Sequence, residues 1–74
     1  MKEEKLVSII IPTYKRSNLL DRTIKLLLEQ NYKNIEIIVV DDNNPQTVYR
    51  EKTEDIMKKY EKNEKVIYIK HDKN

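Results

Sequence analysis

The sequence predicts an α/β domain in which helices cover both faces of a parallel β-sheet to give three layers. Three apolar runs rich in β-branched residues are continuous rather than alternating, which is typical of strands buried on both faces. Two stretches with helical periodicity separate these runs, so the expected order is β-α-β-α-β. The short connections favour right-handed crossovers between parallel strands.

The first strand and helix follow from the pattern of residues 6–30. Residues 6–11 are apolar and Pro12 is expected to close the strand. Asn18 to about Gln30 should form an amphipathic helix, capped by Ser17 or Asn18, with Asp21 in its positive first turn.

The second half of the chain repeats this order. Residues 35–40 are predicted to form the second strand and residues 66–69 the third. Asn44 followed by Pro45 predicts the start of a second helix that runs to about Glu61, because proline is favoured at the first helical position. The side chains expected to face the sheet from this helix are Tyr49, Ile56, Met57 and Tyr60.

Length and composition exclude several classes of protein. The 74 residues allow one small domain, residues 1–74. A net charge of +2, from 15 basic and 13 acidic residues, is too balanced to indicate nucleic acid as a partner. The absence of cysteine excludes a disulfide framework and fits a cytoplasmic location. The absence of glycine excludes the glycine-rich phosphate loops.

Two predicted strand ends carry unusual chemistry. The first strand runs into "PTYKRS", residues 12–17, and the second into "DDNN", residues 41–44. Ligands bind at the carboxyl ends of the strands of an open parallel sheet. An aromatic ring, a carboxylate that can accept an imide N–H and nearby cations suit a nucleotide.

Structural roles compete with ligand binding at these positions. Asn43 and Asn44 favour turns and helix caps, and Asp41 fits either role. Asp42 favours function, because two adjacent carboxylates repel each other and a cap needs only one. His71 beside Asp72 resembles half of a metal or acid-base pair, but without a second His or Cys nearby we interpret it as part of a loop.

The segment "VSIIIPTYKRSNLLDRTIKLLLEQNYKNIEIIVVDDNN", with "VIYI" after it, resembles the opening of the family 2 glycosyltransferases. These are inverting sugar-nucleotide enzymes of the Rossmann-like GT-A fold. Their opening has an apolar strand, Pro-Thr-Tyr-Asn-Arg or similar, a helix ending in Gln-x-Tyr and a strand ending in Val-Asp-Asp. The resemblance covers essentially the whole chain and implies the N-terminal half of that fold, with strand order 3-2-1-4 in the complete domain.

The resemblance also implies which residues bind the nucleotide. Asp42 would accept the imide N–H of a uracil-type base, with Asp41 supporting the loop or the ribose side. Arg16 would lie near the base and diphosphate, while Lys15 stands where the family usually has asparagine. The segment implied to line the base and ribose is Pro12, Thr13 and Tyr14.

The implied activity is inverting transfer of a sugar, with a uridine diphosphate sugar as the expected donor and a hydroxyl as acceptor. The family holds a divalent metal, Mg²⁺ or Mn²⁺, on an Asp-x-Asp motif and uses a carboxylate as general base, and neither is found in these 74 residues. We therefore expect a truncated domain without a cofactor or catalytic residues of its own, inactive alone, from a longer enzyme that could associate with the cytoplasmic face of a membrane.

Two other functions compete with this one. A non-catalytic nucleotide-binding or self-associating module would pair with other copies through the uncovered edge of the first strand, "LVSIII". A receiver-like or flavodoxin-like domain would also have acidic residues at a strand end. That alternative is disfavoured, because a receiver needs an aspartate ending its third strand and has no place for the Pro-Thr-Tyr loop.

Overall fold

The chain forms a three-stranded parallel sheet with two helices in a computed structural model that describes residues 5–31 and 33–71. The sheet order is β1-β2-β3, and the α/β class and the predicted element order are confirmed. Tyr32, from the Gln-x-Tyr motif, and Asp72 lie outside the described residues. The elements are β1 Val7–Thr13, α1 Ser17–Leu28, β2 Ile35–Asp41, α2 Val48–Lys58 and β3 Val66–Lys70.

Strand β1 continues through Pro12 to Thr13, so the prediction that Pro12 closes it is wrong. Among the described residues β1 pairs with β2 alone and is an edge strand, where the missing N–H of a proline leaves no ladder bond unmade. The extension places Thr13 opposite Asp41 in the register between the two strands.

Both helices pack on the same face of the sheet. Two right-handed crossovers that step in the same direction place their helices on one side. One cluster therefore joins Ile24 of α1, Met57 of α2 and Ile37 of β2, all buried. On the other face Ile10 is 63 % exposed, and Ile67 and Ile69 are also exposed. The described residues thus form two of the three expected layers, and β1 and β3 are not buried on both faces as the sequence suggested.

Helix α1 has no side-chain cap. Arg16 occupies the N-cap position without a capping hydrogen bond, so the prediction of a Ser17 or Asn18 cap is wrong. Asp21 lies beyond the first turn and instead joins the two helices. Its carboxylate is 2.8 Å from Lys59 Nζ and accepts a hydrogen bond from the Tyr60 hydroxyl.

Helix α2 begins later than the sequence suggested. Gln46 has a φ of 64°, which after Pro45 is the backbone of a turn rather than of a helix. The helix starts only at Val48, where the hydroxyl of Thr47 accepts the N–H of Arg50 at 3.2 Å. Its buried face consists of Arg50, Thr53 and Met57, while Tyr49 is 44 % exposed rather than facing the sheet.

Candidate functional site

The loops after β1 and β2 are joined to each other at the carboxyl edge of the sheet. The main-chain N–H of Asp42 donates to the carbonyl of Thr13 at 3.0 Å. The N–H of Lys15 donates to Asn43 Oδ1 at 2.7 Å. The first bond continues the main-chain pairing of β1 and β2, and the second joins the two loops through the Asn43 side chain, so residues 12–17 and 41–44 lie together as the sequence predicted.

Asp41 is fully buried, and both oxygens of its carboxylate accept hydrogen bonds from neighbouring residues. Oδ1 accepts from the main-chain N–H of Asn43 at 2.9 Å and from its side-chain amide at 2.8 Å. Oδ2 accepts from the Tyr68 hydroxyl. Burial, and then the neighbouring Asp41 carboxylate, raise the pKa of Tyr68 above its usual range. The Tyr68 hydroxyl therefore stays protonated and donates a hydrogen bond to Asp41.

Arg50 balances the buried charge of Asp41. Its Nε lies 3.1 Å from Asp41 Oδ2, an ion pair rather than an aligned hydrogen bond. Its Nη2 donates to the carbonyls of Asn43 and His71, both at 2.6 Å. Arg50 therefore ties the loop after β2 to the end of β3. Arg50 was not predicted from the sequence, although its spacing to Thr53 and Met57 places it on the inner face of α2.

Asn43 is a structural residue of this edge. It is 1 % exposed, and its amide also donates to the Thr53 hydroxyl at 3.3 Å. Together with the bonds to Lys15 and Asp41, these contacts use both ends of its side-chain amide. This matches the structural interpretation favoured for Asn43 from the sequence.

Asp42 faces outward, in contrast to Asp41. Its side chain is 43 % exposed, and Oδ1 lies 2.6 Å from His71 Nδ1. From the sequence, His71 was interpreted as part of a loop. The register explains the contact, because Asp41 pairs with Lys70 and the next residue of each strand is then Asp42 and His71.

The loop after β1 presents aromatic and basic side chains to solvent. Tyr14 is 49 % exposed, and Lys15 Nζ lies 5.2 Å from the centres of both the Tyr14 and Tyr49 rings. Such cation–π contacts hold the ammonium group between two rings. Lys15 has a φ of 58°, a left-handed backbone that asparagine adopts more readily than lysine.

A small cavity of about 110 Å³ lies beside this loop. Pro12 and Arg16 line it together with Thr13. Thr13 is 3 % exposed, and its hydroxyl oxygen has no hydrogen-bond partner among the described residues. A larger cavity, about 450 Å³, lies between α2 and β3 and is lined by residues such as Met57 and Lys70.

The described part of the chain contains no group of three or more His, Cys, Asp or Glu residues that could hold a metal ion. Asp41 is committed to Arg50 and Tyr68, and Asp42 contacts His71. The two adjacent carboxylates therefore do not converge on one point. Within residues 5–31 and 33–71, neither helix is long and apolar enough to cross a membrane.

Comparisons with known proteins agree on one family. Residues 8–74 match the model of glycosyl transferase family 2. The chain is 46 % identical over 64 residues to an uncharacterized glycosyltransferase of Rickettsia typhi, a match that covers 86 % of this chain and 18 % of the relative. It is 36 % identical over 66 residues to validoxylamine A glucosyltransferase of Streptomyces hygroscopicus subsp. jinggangensis, covering 86 % and 14 %.

A third relative is the GalNAc(5)-diNAcBac-PP-undecaprenol beta-1,3-glucosyltransferase of Campylobacter jejuni, 49 % identical over 37 residues, or 50 % of this chain and 12 % of the relative. The chain thus spans less than a fifth of the length of each of these proteins. No solved structure matches the chain.

Proposed function

Because the chain belongs to glycosyl transferase family 2, we propose that it recognises the nucleotide of a sugar-nucleotide donor, with a uridine diphosphate sugar as the expected donor. The observation that carries the proposal is the pair of joined loops at the carboxyl edge of the sheet. This edge combines an exposed carboxylate, Asp42, with an exposed ring, Tyr14, and the cations Lys15 and Arg16. An imide N–H, a flat base and a diphosphate are the groups that such side chains bind.

The side chains take different parts in this proposal. Asp42 accepts the imide N–H of the base because its carboxylate is open to solvent. Asp41 supports the loop and does not contact the ligand, since it has no exposed surface. Arg16 meets the diphosphate. The residues that line the base and ribose are Pro12, Thr13 and Tyr14.

We assign no metal-assisted step to these 74 residues. A divalent cation on the sugar diphosphate would neutralise charge on the leaving group. Asp41 is held by Arg50, and the 74 residues contain no Asp-x-Asp pattern, so the carboxylates for that cation would come from elsewhere. We expect no sugar transfer by this chain alone. The proposal keeps the cytoplasmic location predicted from the absence of cysteine.

Titration with uridine diphosphate, followed by nuclear magnetic resonance of the backbone amides, tests the proposal. Asp42→Asn should weaken binding by about tenfold, because a hydrogen bond to a charged acceptor is lost. Asp55→Asn is the matched control, since Asp55 is an exposed carboxylate of α2 away from this edge. Equal affinity of wild type and Asp42→Asn would remove Asp42 from the site.

The second candidate function is a self-associating module without chemistry. Strand β1 pairs with β2 alone among the described residues, and the sheet face around Ile10 has no helix over it. An exposed apolar edge pairs with other chains unless it is protected. Sedimentation together with the uridine diphosphate titration separates the candidates, because this function predicts oligomers without binding of uridine diphosphate.

A further inference from the structure

The contact between Asp42 and His71 is built by two neighbouring strands. Asp42 follows β2 and His71 follows β3, at adjacent positions of the parallel register. The atoms in contact are Asp42 Oδ1 and His71 Nδ1, 2.6 Å apart. Both side chains are about half exposed, so the pair lies on the carboxyl edge of the sheet rather than in the core.

The main chain of His71 is fixed on both sides. Its N–H donates to the carbonyl of Asp41 at 2.9 Å, and its carbonyl accepts from Arg50 Nη2 at 2.6 Å. Both bonds belong to the backbone of residue 71 and do not depend on its side chain. The imidazole is therefore carried by an anchored residue, and a substitution there can remove the ring without removing the anchors.

The contact with His71 leaves one oxygen of Asp42 available. A carboxylate has two oxygens with acceptor sites on each. Oδ1 receives the imidazole, whereas Oδ2 accepts no hydrogen bond from any residue in the described ranges. Both the neutral ring protonated at Nδ1 and the imidazolium donate from Nδ1, so either form orients Asp42 as an acceptor.

We propose that His71 is a positioning residue for nucleotide recognition: its Nδ1–H holds Oδ1 of Asp42 so that Oδ2 accepts the imide N–H of a uracil-type base. This inference rests on the proposed function, and it adds to the same site a residue that follows β3, outside the loops after β1 and β2. Without the imidazole, the Asp42 carboxylate can occupy several rotamers. Binding must then order this side chain, and the loss of conformational entropy weakens the affinity for the nucleotide.

The test compares uridine diphosphate with its N3-methyl analogue, which lacks the imide N–H. Wild type should bind uridine diphosphate about tenfold more tightly than the analogue. His71→Phe keeps a flat ring without a donor and should reduce this preference to about threefold or less. His71→Asn places an amide donor near the position of Nδ1 and should restore it. Lys70→Met, a neighbouring change without contact to Asp42, should leave the preference unchanged.

The outcomes separate the inference from the proposed function. If wild type does not prefer uridine diphosphate over the methylated analogue, the proposed function is overturned. If wild type shows the preference and His71→Phe shows it equally, the inference is overturned while the proposed function stands. Dispersed amide resonances confirm folding of each variant, and His71→Ala answers the same question should the phenylalanine variant not fold.

Discussion

At the scale of single residues, Asp41 and Asp42 occupy opposite environments although they are adjacent. Successive side chains of a strand point to opposite faces. The Asp41 side chain is therefore buried on the helix-covered face, and the Asp42 side chain is exposed at the edge of the sheet. Arg50 balances the first charge and His71 contacts the second. The doubled carboxylate thus consists of one group that holds the loop and one that is open to a ligand.

Replacing Arg50 by Met should lower the free energy of unfolding by about 3 kcal/mol, because a buried carboxylate that loses its partner remains uncompensated. A chain of this size is stable by roughly 4–11 kcal/mol, so urea unfolding should show a large shift in midpoint. Glu54→Gln is the control, since it breaks the exposed pair with Lys70 and should cost about 1 kcal/mol or less. Equal effects of the two substitutions would contradict the structural role of Arg50.

The sequence pointed to exposed side chains at this edge and not to the buried ones that support it. Tyr14, Arg16 and Asp42 were proposed as site residues because they follow a strand end, and that assignment stays a prediction. Arg50 was not found, because an arginine in an amphipathic helix normally lies on the solvent side. Its burial depends on Asp41 meeting it across the packed layers, which is a contact between distant segments that no local pattern encodes.

At the scale of elements, the strands and the start of α1 were predictable, whereas the start of α2 was not. Runs of β-branched residues marked all three strands to within about two residues. The start of α2 depended on Gln46, whose left-handed backbone delays the helix until Thr47 can cap it. The sequence favoured Pro45 as the first residue of α2, because proline is common at a first helical position. Proline is also common in β-turns, and here Pro45 belongs to the turn that precedes the helix.

Asp21 should make the packing of α1 on α2 sensitive to acid. Its hydrogen bond with Lys59, and then that with Tyr60, lower the pKa of Asp21 from 3.8 to about 2. A carboxyl group whose pKa is lower in the folded state stabilises the fold at pH values above the pKa of the unfolded state. This contribution is lost as the pH falls from about 4 to about 2. Asp21→Asn should therefore lower stability by about 1 kcal/mol at pH 7 and remove the corresponding part of the acid transition.

The control for this prediction is Asp55→Asn. Asp55 is a well-exposed carboxylate 3.8 Å from Lys58 on the same helix, so its loss should change stability little. Urea unfolding at pH 7 and at pH 2.5 measures both variants against wild type. A difference between Asp21→Asn and wild type that is the same at both pH values would contradict the ionic origin of the contact.

At the scale of the whole molecule, helices cover one face of the sheet and leave the other uncovered within residues 5–31 and 33–71. The order β1-β2-β3 places both crossover helices on one side, and this follows from topology rather than from composition. Continuous apolar strands had suggested helices on both sides. The strands do carry apolar residues for two faces, but the described residues supply helices for only one of them.

Ile10→Lys should reduce self-association of the chain. Ile10 is 63 % exposed on the uncovered face of β1, and a lysine on an edge strand opposes pairing with another chain. Leu26→Lys is the control, because Leu26 is 55 % exposed on α1 and gains the same charge away from the sheet. Sedimentation at increasing concentration should show a smaller weight-average mass for Ile10→Lys alone. A wild-type chain that stays monomeric would contradict the prediction.

The bonds that join the loops after β1 and β2 also determine at which stage of folding the carboxyl edge of the sheet is formed. The hydrogen bond from the main-chain N–H of Lys15 to Asn43 Oδ1 spans 28 residues, with a complete helix between its ends. Pairing over such separations comes late, after the entropy of closing the intervening chain has been lost. The edge is therefore a property of the fully folded chain, and a ligand that binds there would stabilise that state by mass action.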